Sequence, residues 1–400
     1  MSLPQRRGAR PIFLAPLGIH TRYMLATYLR HILMVAAALM TIALTIDLWP
    51  QVALLPGSGP LVVLQIVKLT ALRLPDLLPP FLPFATFLGV VWAESAFTES
   101  RERMLVWNSG RSPLLCLVPA LLVGLAMGAS LFVVDALLRP AAIHVQIDEK
   151  LGREGIRLDR SQRGGNHWIA LQDGLLRAEI EYGPPVKLRN TTIYKLDSQG
   201  HLYEVDTAAS ASPLPGGRWL LQDGRYWRAD FTDQGNVLST GPTGQETESP
   251  FRSRTIVMAL NDQWLHNLGL SPQYLRLGEL KTLSRAHLVS RDAFGYRTRL
   301  QAVYAEPLLA VAMALFGASL SMLFFAYRTR WIALVGVLLA GYLAHFASRA
   351  FSLMGEFGYI SSVEASWVVP GLLLAAAAGV LARIQHKRGL GIRETPKLIS

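Results

Sequence analysis

Residues 114–134 read LLCLVPALLVGLAMGASLFVV, a run of 21 residues without a charged side chain. A helix of this length rises by about 31 Å, which matches the thickness of the hydrocarbon core of a lipid bilayer. Residues 307–327 form a second uncharged run of the same length. Two such runs predict transmembrane helices and indicate an α-helical membrane bundle.

Four further apolar runs flank these two. We predict six transmembrane helices, at about residues 27–48, 64–93, 114–137, 304–326, 331–353 and 362–382. The second run holds Pro75, Pro79, Pro80 and Pro83, and each proline removes a helical hydrogen-bond donor. We therefore expect an interfacial or kinked first half in that run, followed by a regular span that ends near Trp92. The first run lacks a persuasive signal-peptide cleavage site, so we expect it to be retained.

The composition excludes several classes of protein. Of 400 residues, 51% are hydrophobic and 17% charged, whereas an average soluble domain has about 25% charged residues. The apolar content excludes disorder as the main state. The single cysteine excludes both a disulfide scaffold and a zinc site built on several cysteines.

The net charge of +11 is carried by the apolar parts of the chain. Residues 140–304 hold 20 Lys and Arg against 18 Asp and Glu, a balance of +2, which leaves +9 for the two flanking regions. A nucleic-acid-binding domain would carry the basic residues itself, so we expect no nucleic-acid partner.

Lysine and arginine also predict the orientation of the spans. They occur before the first span, in loops 94–113 and 327–330 and after the last span, whereas loops 49–60 and 354–361 have none. Basic loops stay on the cytoplasmic side. Both termini are therefore expected in the cytoplasm and residues 140–303 outside it.

The polar insert has the pattern of a β-domain. Apolar and polar residues alternate over residues 176–182 and 186–196, and turn sequences such as Asp173-Gly174 and Asp223-Gly224 follow short strands. This pattern favours a sandwich or jelly roll, although a plain β-domain without a ligand groove has the same pattern. Leucines between residues 271 and 283 predict a short amphipathic helix that returns to the membrane. We divide the chain into an N-terminal membrane half (1–139), the β-domain (140–300), a C-terminal membrane half (301–385) and a tail (386–400).

The chain has none of the common catalytic motifs. It contains no nucleotide-binding G-x-x-x-x-G-K-[ST], no zinc-binding H-E-x-x-H and no G-x-S-x-G nucleophile motif. We expect no catalytic residue, no metal and no cofactor. His345 and Arg349 lie four residues apart in the fifth span, which indicates either a polar cavity or an arginine that reaches the interface. Gly124 and Gly128 predict close helix packing in the third span.

The loop at residues 94–113 mixes both charges with exposed apolar side chains. Glu102 lies between Arg101 and Arg103, and Leu105 and Trp107 follow. This composition fits a helix that lies along the membrane surface or one that docks into a groove of a cytosolic partner. An ordinary connecting helix is the simpler alternative.

Several short motifs occur here in the order and spacing of one known family. They are Arg22-Tyr23 before the first span, residues 82–89 after Pro75, Gly110 eight residues after Glu102, Pro140 at the third span, Ile193-Tyr194 and Trp219-Leu220 in the insert, Glu306-Pro307-Leu308, and residues 367–370. In these features the chain resembles the LptF/LptG permease family over residues 22–381. That family forms the transmembrane subunits of the lipopolysaccharide-export ABC transporter of Gram-negative bacteria.

The resemblance implies a fold, a mechanism and a set of partners. The fold is a bundle of three plus three spans in the bacterial inner membrane with an inserted periplasmic jelly-roll-like domain. A cytosolic ABC ATPase dimer grips loop 94–113, so ATP hydrolysis belongs to the partner and this chain is no enzyme. The other partners are a paralogous LptF/LptG-type permease subunit, periplasmic bridge proteins of the LptC/LptA type, and lipopolysaccharide. The implied ATPase-coupling residues are Arg101, Glu102, Arg103, Leu105, Trp107 and Gly110.

The chain departs from the family where lipid phosphates are expected. Family members place basic residues near the outer ends of the first two spans, and here Asp47 and Asp76 occupy those regions. A carboxylate repels phosphate at close range. The candidate lipid-phosphate contacts are instead Lys68, Arg73, Arg139 and Arg349. The residues do not separate an F-type from a G-type subunit, with a slight preference for the G-type.

Three alternative functions stay open at this point. A permease for another lipid or a lipoprotein would share the whole pattern. A membrane-anchored periplasmic scaffold or sensor would share the spans and the β-domain but transport nothing. A membrane-embedded enzyme is disfavoured, because no constellation of nucleophile and base or of metal ligands occurs in the sequence.

Overall fold

The computed structural model describes residues 18–52, 60–108, 112–162, 165–171, 173–183, 185–197, 199–228, 249–258, 260, 262–285, 292–325 and 331–393. The helices within them are α1 (Ile19–Val52), α2 (Pro60–Glu99), α3 (Glu102–Asn108), α4 (Pro113–Val133), α5 (Arg139–Asp148), α6 (Gly152–Gln162), α7 (Asp262–His266), α8 (Leu277–Arg285), α9 (Asp292–Phe324), α10 (Trp331–Glu356) and α11 (Ser362–Arg393). The strands are β1 (Asn166–Leu171), β2 (Gly174–Glu181), β3 (Lys187–Leu196), β4 (Leu202–Leu214), β5 (Arg218–Arg228) and β6 (Ser249–Val257).

Six helices are long and apolar enough to cross a membrane, which confirms the predicted number. Their bounds are Ile19–Gln51, Val62–Glu99, Pro113–Asp148, Ala293–Phe324, Trp331–Glu356 and Ser362–His386. The first four have between 32 and 38 residues, whereas about 20 suffice to cross the hydrocarbon layer. These helices therefore extend beyond the bilayer on at least one side.

The second span is one continuous helix, and the interfacial or kinked character of its first half stays a prediction. α2 passes through all four prolines. Pro80 has no N–H, which deprives the carbonyl oxygen of Asp76 of its helical donor. Arg139 donates from Nη2 to that oxygen at 2.8 Å. A side chain from the third span thus replaces one of the lost hydrogen bonds.

The third span does not end at Pro140 as predicted. A π-helical turn, Val134–Leu138, joins α4 to α5, and the backbone N–H of Arg139 donates to the carbonyl of Val134. Pro140 falls in the first turn of α5, where a missing N–H does no harm. The fourth span likewise begins at Asp292 rather than near residue 304. The predicted boundaries 139/140 and 300/301 therefore lie inside helical segments that run from the spans towards the sheet.

Two glycines show how closely the spans approach one another. A Cβ at Gly128 would lie 2.5 Å from the carbonyl oxygen of Pro307 in α9, and one at Gly89 would lie 2.5 Å from the Cα of Ile32 in α1. Both distances are well below van der Waals contact, so a side chain at either position would push the helices apart. The close packing predicted from Gly124 and Gly128 is confirmed, with α9 as the partner of α4.

Burial is uneven among the spans. Of the most apolar 18-residue stretch of each helix, 61% is buried in α9, whereas 11% is buried in α1 and in α10. Both outer helices pack against the middle of α2, where Gly341 of α10 meets the ring of Phe87. The central helices therefore form the core of the bundle, and α1 and α10 present apolar faces outward.

The six strands form one antiparallel sheet in the order β1-β2-β3-β4-β5-β6. Each strand pairs with its neighbour in sequence, which makes the sheet a meander. A jelly roll needs Greek-key connections between two sheets, and the described strands show no such connection. The inner face of the sheet packs on the helices that connect it to the membrane spans. Leu176 and Trp219 of the sheet share one hydrophobic core with Ile143, Leu158, Leu280 and Tyr296 of these helices. The short amphipathic helix predicted before the fourth span is confirmed as α8, with Leu280 and Leu283 buried.

Candidate functional site

The predicted coupling segment is a helix corner rather than one helix over residues 94–113. Residues 94–99 are the last turns of α2, and α3 begins at Glu102. Arg101 forms the corner with φ of +62°, in the left-handed region that side chains other than glycine seldom adopt. Ser112 accepts a hydrogen bond from the backbone N–H of Leu115 and caps α4. The chain is thus turned sharply between the second and third spans.

The predicted coupling residues lie on different sides of this corner. Arg101 is exposed, and Leu105 on α3 has 70% of its surface accessible. Glu102 is half-buried and accepts a hydrogen bond of 3.3 Å from the hydroxyl of Tyr23 in α1. Gly110 and the side chain of Trp107 lie outside the described residues. Arg101, Glu102 and Leu105 are therefore accessible to solvent to different degrees.

Arg103 points into the bundle. It is 3% exposed and forms an ion pair with Glu94, which is 1% exposed. Glu94 also accepts a hydrogen bond from the hydroxyl of Tyr28, a fully buried residue of α1. The cluster of Tyr28, Glu94 and Arg103 ties α3 to both α1 and α2. Sequence reasoning missed Tyr28 and Glu94, although a glutamate inside an apolar helix is a signal in itself.

A chain of alternating charges crosses the end of the bundle that faces the sheet. Arg73 of α2 binds both carboxylate oxygens of Asp47 in α1 at 2.7 Å, and it also lies 3.1 Å from Asp76. Arg139 lies 3.0 Å from Asp76 and 2.7 Å from Asp135. Asp135 in turn binds Arg299 of α9 at 2.6 Å. The six residues, which we call the ion-pair chain, are Asp47, Arg73, Asp76, Arg139, Asp135 and Arg299.

The ion-pair chain also reaches the segment that connects the sheet to the fourth span. Tyr274, in a 3₁₀ turn before α8, donates from its hydroxyl to the second carboxylate oxygen of Asp76 at 3.1 Å. Burial raises the pKa of the Tyr274 hydroxyl above its usual value, and the negative charge of Asp76 acts in the same direction. The hydroxyl therefore keeps its proton and stays a donor at neutral pH. The helical bundle and the insert are joined by this contact.

Each of the four candidate lipid-phosphate contacts is paired with a carboxylate. Arg73 and Arg139 are buried inside the ion-pair chain. Lys68 is about half exposed and lies 2.5 Å from Glu149, while Arg349 lies 3.8 Å from Glu306 and has 38% of its side chain exposed. Asp47 and Asp76, which the sequence singled out as repelling phosphate, instead neutralise the buried arginines.

A polar cavity of about 270 Å³ adjoins the ion-pair chain. Its walls come from α2, α5, α9, α10 and the 3₁₀ turn, and its charged lining residues are Arg139, Arg299, Glu306, Arg349 and Glu356. The structure thus brings Arg139 and Arg349 to one cavity, whereas Lys68 and Arg73 do not line it. Among the described residues, no group of three or more His, Cys, Asp or Glu is placed to hold a metal ion.

A second charged cluster lies on the sheet. Arg254 binds Asp206 at 2.6 Å and Glu204 at 3.0 Å, and Lys195 binds Glu204 at 2.6 Å. Burial raises the pKa of the Asp206 carboxyl, whereas Glu204, although burial acts on it too, has a lowered pKa because Lys195 and Arg254 stabilise its charge. Both acidic groups have cationic partners, so this cluster joins three strands and its charges are engaged within the sheet.

Comparison with known proteins gives the family. The family described as lipopolysaccharide export system permease LptF/LptG matches residues 22–383. This range holds the corner at Arg101, the ion-pair chain and the six spans, apart from three residues at the start of the first span and three at the end of the last. The chain belongs to the LptF/LptG family. As an LptF/LptG protein it is a multi-pass membrane protein and a permease component of lipopolysaccharide export, a transport system with partners of the ABC type. No curated protein matches the chain as a relative.

Proposed function

We propose that this LptF/LptG protein is the transmembrane subunit of an ABC transporter that extracts lipopolysaccharide from the bacterial inner membrane. A cytosolic ABC ATPase dimer hydrolyses ATP, and this chain catalyses no reaction. Periplasmic bridge proteins of the LptC/LptA type receive the lipid. The observation that carries the proposal is helix α3, which presents Leu105 to solvent and is tied to two spans by Arg103 and Glu94.

The corner at Arg101 provides a route for force. The ATPase binds the outer side of α3 through Arg101, Glu102 and Leu105. Because Arg103 is bonded to Glu94 inside the bundle, a movement of α3 pulls on α2, and through Tyr28 on α1. An exposed connector would lack this attachment and would absorb the movement instead.

The outward faces of α1 and α10 are the surface for the second permease subunit and the lipid. These are the two least buried spans, and both pack on α2. Apolar faces of this size in a membrane protein are covered either by lipid or by another helix. A paralogous LptF/LptG-type subunit placed against them encloses a site for the acyl chains between the two proteins.

We assign the lipid phosphates to Lys68 and Arg349 rather than to Arg73 and Arg139. A partly exposed ion pair contributes only about 0–1 kcal/mol and exchanges partners readily. A buried pair that loses a partner is destabilised by about 3–5 kcal/mol. Phosphate can therefore displace Glu149 from Lys68 at a small cost, whereas displacement of Asp47 or Asp76 would disrupt the bundle. Arg349 is available to phosphate for a different reason, because its 3.8 Å separation from Glu306 exceeds hydrogen-bonding distance.

The orientation of the spans follows from the proposed binding site for the ATPase. The corner at Arg101 faces the cytoplasm, where ATP is available, and both termini lie on that side. The sheet then lies in the periplasm. The basic residues of loops 94–113 and 327–330 support this orientation.

This function is tested by assembling the complete transporter. We expect the chain, coexpressed with the cytosolic ABC ATPase and the paralogous permease of the same genome, to copurify with both and to retain lipopolysaccharide detectable by mass spectrometry. Retention of a different lipid or a lipoprotein would establish the alternative permease. A chain that binds no ATPase at all would be a scaffold.

Replacement of Glu102 by alanine tests the outer side of α3. A charged hydrogen bond to a partner contributes about 1.5–3 kcal/mol, and about 1.4 kcal/mol corresponds to a tenfold change in affinity. We therefore expect Glu102→Ala to insert normally but to weaken ATPase association at least tenfold, measured by copurification and stimulated ATP hydrolysis. Glu99→Ala removes an exposed carboxylate from the end of α2 and serves as the matched control. Equal losses in both variants would mean that only net charge matters and that Glu102 makes no specific contact.

A further inference from the structure

The outer face of the sheet, opposite the hydrophobic core, has a regular arrangement of side chains. Residues that pair directly across neighbouring strands point to the same face. One such row runs across all six strands and consists of Trp168, Arg177, Thr192, Thr207, Arg225 and Pro250. Its first five members all have a polar or aromatic side chain.

A groove of about 610 Å³ runs beside this row. Its other wall carries Asn166, Glu179, Asn190 and Asp223. Asn190 and Asp223 have φ of +47° and +52°, and the pairing of their strands is interrupted at both positions. Local distortion of two strands thus bends the sheet along the line of the groove. The charged lining residues are two arginines and two acids, Arg177, Arg225, Glu179 and Asp223, so the groove has no net formal charge.

An apolar row borders the groove on the other side of Arg177 and Thr192. Leu175, Tyr194, Val205 and Trp227 pair across four strands. Trp168 leans over this row and stacks on Tyr194 with ring centroids 5.8 Å apart and planes at 19°. The Arg177 guanidinium lies 5.8 Å from the Trp168 ring centroid. Trp168 is nevertheless 59% exposed, so more than half of its surface stays accessible to a ligand.

We propose that this groove and its aromatic edge bind an oligosaccharide. A sugar ring has flat apolar faces that fit an indole ring and hydroxyl groups that both donate and accept hydrogen bonds. The groove supplies hydrogen-bond donors from two guanidinium groups and acceptors from two carboxylates. Its amide and hydroxyl groups can both donate and accept. A polymer with a negative charge on every unit, such as a nucleic acid, would require an excess of basic residues. An acyl chain would leave the polar wall unpaired. A peptide strand would bind a sheet edge rather than its face.

This inference goes beyond the export function proposed above and does not depend on it. Two sources share the chemistry, namely the saccharide part of the exported glycolipid and a glycan of the cell wall. The first would hold the head of the cargo on the sheet, and the second would anchor the domain to the wall.

Binding to the full-length protein in detergent micelles tests the inference. The probes are the core oligosaccharide released from lipopolysaccharide by mild acid and a cell-wall disaccharide, with calorimetry as the measurement. We expect one of the two to bind, and Trp168→Ala to lower its affinity about tenfold, because an aromatic stack is lost. Asp223→Asn keeps the left-handed backbone that asparagine tolerates while it turns an acceptor into a donor, and it should weaken binding as well.

The control is Tyr359→Ala, which removes an aromatic ring of 79% exposure away from the sheet and should bind like the parent. Preference for the core oligosaccharide or for the wall disaccharide identifies the source. If neither sugar binds, or if Trp168→Ala binds as well as the parent, the inference is wrong. A protein captured at this face without saccharide binding would also overturn it. None of these outcomes affects ATPase association, so the export function is judged separately.

Discussion

Asp135→Ala should destabilise the protein by about 3–5 kcal/mol, the range expected when one partner of a buried ion pair is removed. Asp135 is buried and bonds to both Arg139 and Arg299, so its loss leaves two guanidinium groups facing each other without a carboxylate between them. We expect a clear fall in the thermal unfolding midpoint in detergent micelles and a lower yield of folded protein.

Two further variants serve as comparisons for Asp135→Ala. Asp135→Asn keeps the size of the side chain and one acceptor oxygen, so it should lie between the parent and the alanine variant. Asp148→Ala removes an exposed carboxylate from the end of α5 and should change the stability by less than about 0.5 kcal/mol. An alanine variant at position 135 with the stability of the Asp148 control would show that the ion-pair chain contributes nothing to the fold.

Arg103→Ala should abolish most of the ATPase stimulation while the chain still inserts into the membrane. The substitution leaves the Glu94 carboxylate buried without its cation, at a cost of about 3–5 kcal/mol, and it frees α3 from the bundle. We expect more than a tenfold loss of stimulated ATP hydrolysis in the reconstituted complex. This loss should exceed that of Glu102→Ala, since the whole of α3 is displaced rather than one contact removed.

The double variant Arg103→Met with Glu94→Gln separates stability from coupling. Replacement of both members of a buried pair is often neutral, so the double variant should recover most of the thermal stability. If Arg103→Ala alone keeps full ATPase stimulation, α3 is not held by this pair and force reaches the spans by another route.

The number of spans could be predicted from sequence because each apolar run signals its own membrane helix. Residues 114–134 and 307–327 need no distant partner to be recognised. The alternation of apolar and polar residues in the short strands of the insert can likewise be recognised from neighbouring residues alone. These features depend only on the hydrophobicity and period of neighbouring residues.

The sequence could not show how the second span accommodates its prolines. The carbonyl of Asp76 is satisfied by Arg139, a residue 63 positions away, and no local rule can anticipate such a donor. The assignment of Asp47 and Asp76 as isolated negative charges failed for the same reason. Their partners lie on other elements or on the next turn of the same helix.

A helix near Glu102 could be predicted from the sequence, but not which of its side chains face the bundle. The mixture of charges around Glu102 indicated a docking element, and the structure places α3 there. Which of three consecutive charged residues faces inward depends on the corner at Arg101 and on the position of Glu94, neither of which the charge pattern reveals. Arg103 was grouped with the partner contacts, whereas it holds α3 to the bundle.

The ion-pair chain also has a consequence for how the protein is made. Asp135 emerges from the ribosome with the N-terminal half, but Arg299 follows 164 residues later, after the whole insert has been synthesised. Until then the described part of the chain offers Asp135 one paired cation, Arg139, and the ion-pair chain lacks its last member. We expect these spans to stay loosely associated during synthesis, and the arrival of α9 to complete their assembly.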